Sequence, residues 1–158
     1  MKIYIAGPFS HSEEREALKH MIELVHSSYP SAELYIPMEY KVEGDFIKED
    51  GSWNLPNHVW AKAVYENDLK ELKEADLVVA MYGRHYCSSG TVWEIGFVAG
   101  LNAYDRVKPL ILYIPTYCEK GSDLSLMVTM GADGILQEDG IVDYYGDKIK
   151  YLKNYNLK

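Results

Sequence analysis

The chain is short of positive charge: 16 Lys and Arg stand against 24 Asp and Glu, a formal net charge of −8 in 158 residues. Binding a phosphate backbone needs a basic footprint, so nucleic acid polymers are poor candidate partners. Long apolar runs are missing as well. No stretch reaches membrane-spanning length and no apolar run follows a basic start, so neither a transmembrane helix nor a signal peptide is expected, and a cytoplasmic protein is the expectation. Cysteine is scarce: Cys87 and Cys118 form no C-x-x-C and lie far apart, so reduced thiols are expected rather than a disulfide or metal site. The five histidines show no ligand-like spacing, so no metal is expected. Internal repeats and linker-like segments are also absent. What the chain has in quantity is tyrosine, 14 of them with three tryptophans, and a hydrophobic fraction of 47%, enough for one core in one domain over residues 1–158. Aromatics in that number serve core and interface packing, or stacking on a planar ligand.

Apolar runs and turn signals alternate along the chain. Residues 2–6 (K-I-Y-I-A) read as a strand stopped by Gly7-Pro8, with Tyr4 near its carboxyl end. Ser10-x-x-Glu13 has capping-box spacing, and Ala17, Leu18, Met21, Ile22 and Val25 follow at helical intervals to about Ser27. Residues 33–37 form a second strand. The charged, Gly- and Pro-bearing stretch 38–57, with Phe46 and Trp53, reads as a lid or interface segment. A second helix spans 58–74, strands are expected at 76–82, 108–115 and 134–136, a short helix at 123–130, and a helical tail at 144–158. Strand and helix in alternation predict an α/β fold: a single-domain, doubly wound, flavodoxin- or Rossmann-like sheet of five mostly parallel strands flanked by helices. Such sheets bind ligands at the carboxyl ends of their strands, near the switch in strand order.

Two acids stand out. Ser88-Ser89-Gly90 is a small-residue loop leading into an apolar helix, and Glu94 is expected in that helix's first turn, where the amide dipoles hold a carboxylate ionised. Thr91-x-x-Glu94 has the spacing of a capping box, and on local sequence alone the cap is the stronger reading. On the helix at 58–74, Ala61, Tyr65, Leu69 and Leu72 mark an expected buried stripe, and Asp68 falls on it. A carboxylate facing inward needs an internal hydrogen-bond donor or a polar ligand at a cleft edge, and the segment favours neither over the other.

Several segments occur together in one order: I-Y-I-A-G-P-F at 3–9, W-A-x-A-x-Y-x-N-D-L at 60–69, A-D-L-V-V-A at 75–80, S-G-T-x-W-E-I-G-F at 89–97, and Leu126-Met127. In this the chain resembles the nucleoside 2-deoxyribosyltransferases. The resemblance implies an enzyme that moves a deoxyribosyl group between nucleobases through a covalent glutamyl intermediate, with no cofactor. It reverses the local reading of Glu94, which corresponds to the family's nucleophile. Tyr4 corresponds to the tyrosine that positions the nucleophile, and Asp68 to the acid that meets the sugar hydroxyls. Gly7, Phe9, Ser88, Gly90, Ser125 and Met127 fall at substrate-binding positions. Two of these depart from the family: Ser88 replaces an aspartate that contacts the base, and Ser125 an asparagine contributed by a neighbouring subunit. The partners implied are small-molecule 2'-deoxynucleosides, free nucleobases and further copies of the chain, in dimer-based homo-oligomers such as hexamers.

Two other activities fit the same segments. One is a hydrolase of 2'-deoxynucleoside 5'-monophosphates, with Ser10, Ser12, Ser88 and Ser89 cradling a phosphate, although P-F-S-H-S-E-E is acidic for that task. The other is a non-catalytic nucleotide sensor on the same fold.

Overall fold

The computed structural model describes residues 1–40, 58–83, 88–105, 108–115 and 124–137. In chain order these form β1 (Lys2–Ala6), α1 (Ser12–Ser28), β2 (Glu33–Tyr35), α2 (His58–Glu74), β3 (Leu77–Met81), α3 (Ser89–Asp105), β4 (Leu110–Ile114), α4 (Leu126–Gly131) and β5 (Gly134–Gln137). Of the expected lid or interface segment at 38–57, residues 41–57 with Phe46 and Trp53 lie outside the described residues, as does the expected helical tail at 144–158.

All five strands are parallel, in the order β2-β1-β3-β4-β5. Strand order reverses between β1 and β3, because β2 is added on one side of β1 and the later strands on the other. That reversal opens a crevice where ligands bind in doubly wound sheets. β3 (L-V-V-A-M) and β4 (L-I-L-Y-I) are buried along their whole length, as strands covered by helices on both faces must be.

The period-2 alternation of β1 sorts its side chains between two cores. Ile3 and Ile5 pack with Ala17, Leu18, Met21 and Val25 of α1. Tyr4 and Ala6 face the other way, among Leu72 of α2 and Ile95 and Val98 of α3. Gly7 continues β1 at a tight spot, where a Cβ would come within 2.8 Å of Leu18 Cδ1. A side chain there would have to displace the end of Leu18.

The sequence expectations shift in detail. The capping box of α1 lies one residue later than Ser10–Glu13: the backbone N–H of His11 donates to Glu14 Oε2 at 3.0 Å, and Glu14 is buried against the helix start. β2 ends at Tyr35 because Pro37, which has no amide hydrogen to give a ladder, starts a 3₁₀ turn over Pro37–Glu39. On α2 the expected buried stripe is only partly core: Leu72 is buried, but Ala61 is exposed and Tyr65 is 52% exposed. Tyr65, Leu69 and Leu72 of that stripe wall a cavity, for which helical periodicity looks the same as for a core.

The carboxyl end of α2 is anchored from both sides. Lys2 pairs with Glu71 and, at 3.3 Å, with Glu74. Lys108, buried between α3 and β4, donates from Nζ to the carbonyls of Leu72 at 2.7 Å and Lys73 at 2.5 Å. Helix-terminal carbonyls lack intrahelical partners, and a cation there also meets the negative end of the helix dipole. Burial lowers the pKa of Lys108, and the nearby Asp76 charge opposes that effect. Asn102 in turn holds the backbone of Lys108, donating to its carbonyl at 2.6 Å and accepting from its N–H at 3.1 Å. These anchors fix the height at which α2 presents Asp68.

Candidate active site

A cavity of about 310 Å³ opens between α2, α3 and β1, lined by Tyr4, Tyr65, Asp68, Leu69, Leu72, Gly90, Trp93 and Glu94. Most of its wall is apolar, and two carboxylates supply the polar points, the composition expected of a small-molecule site.

Each carboxylate is met by a phenol from the sheet. Tyr4, fully buried on β1, donates its hydroxyl to Glu94 Oε1 at 2.6 Å. Tyr35 on β2 donates to Asp68 Oδ1 at 2.7 Å and accepts from Asn67 Nδ2 at 2.6 Å. The two tyrosines are register partners on adjacent parallel strands, so they point to the same face, with ring centroids 5.3 Å apart. Burial raises the pKa of both phenols and the carboxylate charges add to it, so both remain proton donors.

Glu94 is not the helix cap. α3 starts at Ser89, and Ser88 caps it, its Oγ accepting from the N–H of Thr91 at 3.1 Å and lying 2.9 Å from Thr91 Oγ1. Glu94 is therefore in the second turn, past the strongest part of the dipole field, and the expectation of a carboxylate held ionised is overturned. Burial pushes its pKa from the ordinary 4.5 up to about 7, the hydrogen bond from Tyr4 opposes this, and the charge of Asp68 reinforces it. Burial also raises Asp68, against the hydrogen bond from Tyr35 and with the charge of Glu71. Among the described residues, both acids are held by phenols rather than by cations. A carboxylate poised near neutrality in an apolar cavity gains nucleophilicity when it ionises, because little water surrounds it.

The remaining sequence candidates are placed as follows. Gly90 lines the cavity. Ser88 stands at the α3 cap beside it, with its hydroxyl engaged by Thr91. Gly7 and Phe9 lie on the α1 side of the sheet, Gly7 against Leu18 and Phe9 against the α1 core, and neither lines the cavity. Arg15 donates to the carbonyls of Phe9 at 3.0 Å and Ser10 at 3.1 Å, tying down that loop. Ser125 and Met127 sit at the start of α4 in the open, Met127 at 85% exposure, away from the cavity. Among the described residues, no group of three or more His, Cys, Asp or Glu side chains gathers as a metal site would require.

Sequence reading missed Tyr35, Asn67 and Trp93 as site residues. Asn67 and Trp93 stand inside the quoted motifs, but nothing local assigns them a contact. Tyr35 had no local signal, since its place depends on the pairing of β2 with β1. Trp93 lies edge-on to Tyr65 (5.7 Å) and stacked on Phe97 (5.3 Å), giving the cavity rim an aromatic row.

A parallel doubly wound sheet with two carboxylates in one cavity beside its switch point is the arrangement in which such folds hold small molecules. The family model for nucleoside 2-deoxyribosyltransferases matches residues 3–132. The chain belongs to that family. It is 24% identical over 131 residues to a nucleoside deoxyribosyltransferase of Limosilactobacillus fermentum, covering 82% of this chain and 75% of the relative. A nucleoside deoxyribosyltransferase of Lactobacillus leichmannii is also 24% identical, over 152 residues, with 94% of this chain and 92% of that one covered. Among solved structures, a 2-deoxyribosyltransferase from Bacillus psychrosaccharolyticus shares the fold with a TM-score of 0.69 at 24% identity, covering 99% of this chain and 93% of that chain. A conserved protein from Enterococcus faecalis shares it with a TM-score of 0.55 at 20% identity, over 78% of this chain and 69% of that chain.

Proposed function

We propose that this protein transfers a 2-deoxyribosyl group from one nucleobase to another through an ester on Glu94. The observation that carries the reading is the pair of phenol-held carboxylates, Glu94 and Asp68, facing one cavity of about 310 Å³. Tyr4 occupies Oε1 of Glu94, which leaves Oε2 to attack. As the C1'–N bond lengthens, the sugar takes on oxocarbenium character that the Glu94 carboxylate stabilises. The bonding pair leaves with the base, which acquires a proton from solvent, and Oε2 closes the ester to C1'. A nitrogen of the incoming base then attacks C1' and gives up its proton to solvent, the ester bond breaks, and the electron pair returns to Glu94. Two inversions retain the original configuration. Asp68 accepts from a sugar hydroxyl and so sets C1' in line with Oε2.

Support for assembly into homo-oligomers comes from α4, where Leu126, Met127 and Met130 are 68%, 85% and 58% exposed, an apolar face unusual for open water. Multi-angle light scattering of a fully active monomer refutes a shared site involving Met127 and Ser125.

Incubation with thymidine and free adenine tests the reaction. Deoxyadenosine is expected from wild type and is absent from Glu94→Ala, and intact-mass measurement after acid quench shows a deoxyribosyl adduct on wild type only. Thymine without deoxyadenosine indicates a hydrolase. Turnover confined to deoxynucleoside monophosphates identifies a phosphate-dependent glycosidase, and no product at all identifies a sensor.

A further inference from the structure

The tyrosine pair is not symmetrical in its attachments. Tyr4 meets one helix through a single bond to Glu94, whereas Tyr35 is gripped by two consecutive residues of α2, Asn67 and Asp68. A phenol has one proton to donate. Because the Asn67 amide donates to the Tyr35 oxygen at 2.6 Å, the Tyr35 proton is directed to Asp68 Oδ1, 2.7 Å away. The donor sequence Asn67, Tyr35, Asp68 thus has one direction, and such chains strengthen each member. It occupies Oδ1 and restrains rotation of the carboxylate about its Cβ–Cγ bond.

We infer that Tyr35, oriented by Asn67, is the positioning residue for Asp68: it claims Oδ1 and leaves Oδ2 as a fixed acceptor for a ligand hydroxyl at the cavity wall. The ligand part of this inference rests on the proposed deoxyribosyl transfer; the positioning part does not. Among the described residues, the groups that face Asp68 are Tyr4 from β1, Tyr35 from β2, Glu71 from its own helix and Glu94 from α3. The charge of Glu71 favours protonation of Asp68. A protonated Asp68 would offer a donor where an acceptor is required, so the phenol also maintains the polarity of the subsite. Register pairing of Tyr35 with Tyr4 makes the positioning of Asp68 and of Glu94 a single construction, two neighbouring strands addressing two helices.

Two variants test this: Tyr35→Phe, which keeps the ring against Tyr4 and removes the proton, and Asn67→Ala, which keeps the phenol and frees its orientation. Carbon-13 NMR of aspartate-labelled protein follows the Asp68 carboxyl through a pH titration without any turnover. Its midpoint is expected to rise in Tyr35→Phe and to rise less in Asn67→Ala. In the transfer assay, KM for thymidine is expected to rise roughly ten-fold in Tyr35→Phe, the scale of one hydrogen bond, while kcat changes far less. Adding Tyr35→Phe to Asp68→Asn should leave the parameters of Asp68→Asn unchanged. An unmoved Asp68 midpoint in both variants overturns the inference, whatever the activity of the wild type. With an active wild type, an unchanged KM or a fully additive double variant overturns it too. A wild type without transfer activity refutes the proposed reaction instead, and leaves the titration to decide the role of Tyr35.

Discussion

Replacing Glu94 by Gln should stabilise the fold above neutral pH while abolishing transfer. Gln keeps an oxygen to accept from Tyr4, so the 2.6 Å contact has a successor and the variant differs mainly in carrying no charge. A carboxyl whose pKa rises from 4.5 unfolded to about 7 folded is more easily ionised in the unfolded chain. The native state then binds more protons than the unfolded state between those two values, so wild-type stability falls as pH climbs through that window. Below about 4.5 both states hold the proton and no penalty exists; above about 7 both are ionised and the penalty is complete. A difference of that size corresponds to roughly 3 kcal/mol at most. At roughly 2–4 °C per kcal/mol for a chain of this length, Glu94→Gln should melt above wild type at pH 8 by as much as about 6–12 °C. The gap should close as the pH is lowered towards 5. Circular dichroism melts across pH 5–8.5, beside the thymidine and adenine assay, provide the measurement. A helix-capping glutamate predicts the opposite sign, a loss of about 1 kcal/mol on substitution. A variant less stable than wild type at pH 8, or a melting difference that ignores pH, refutes the burial argument.

Asp68→Asn should lower kcat/KM for deoxynucleosides at least ten-fold with a melting temperature equal to or above wild type, since it removes a half-buried charge; a large fall in melting temperature with activity retained makes Asp68 structural. Ser88→Asp preserves a good N-cap for α3 and adds a carboxylate beside the cavity, so stability should stay within about 0.5 kcal/mol while competition among adenine, cytosine, thymine and 5-substituted uracils shifts towards ordinary bases; unchanged product ratios show that this position does not read the base. Lys108→Met keeps the apolar stem but leaves the carbonyls of Leu72 and Lys73 without their donor, at a cost of about 1–2 kcal/mol in urea unfolding; relief of the buried charge offsets part of that cost. A variant as stable as wild type removes Lys108 as the anchor of α2.

Much of the architecture was legible in the residue order. The alternation of K-I-Y-I-A, the uninterrupted apolar runs of β3 and β4 and the helical spacing from Ala17 to Val25 are local patterns, and they define a doubly wound parallel sheet because each element must bury a face of recognisable period. The acids Glu94 and Asp68 were legible too, through their motifs and because Asp68 breaks an apolar stripe. Other properties depended on groups distant in sequence. Residue types cannot tell a cavity wall from a core, so the place of Tyr65 in the cavity wall emerged only from packing. Local spacing named Thr91 and Glu94 as a capping box, but the turn before α3 placed Ser88 at the cap and carried Glu94 one turn further in. The charge state of Glu94 depends on the tertiary structure, since burial raises its pKa to about 7 and the groups that share its cavity include Tyr4, Asp68 and Leu72, all distant in sequence. Tyr35 is the sharpest case. It enters the site only because β2 pairs with β1 in the register that sets it beside Tyr4, and a parallel register, formed between strands separated by a whole helix, has no local signature.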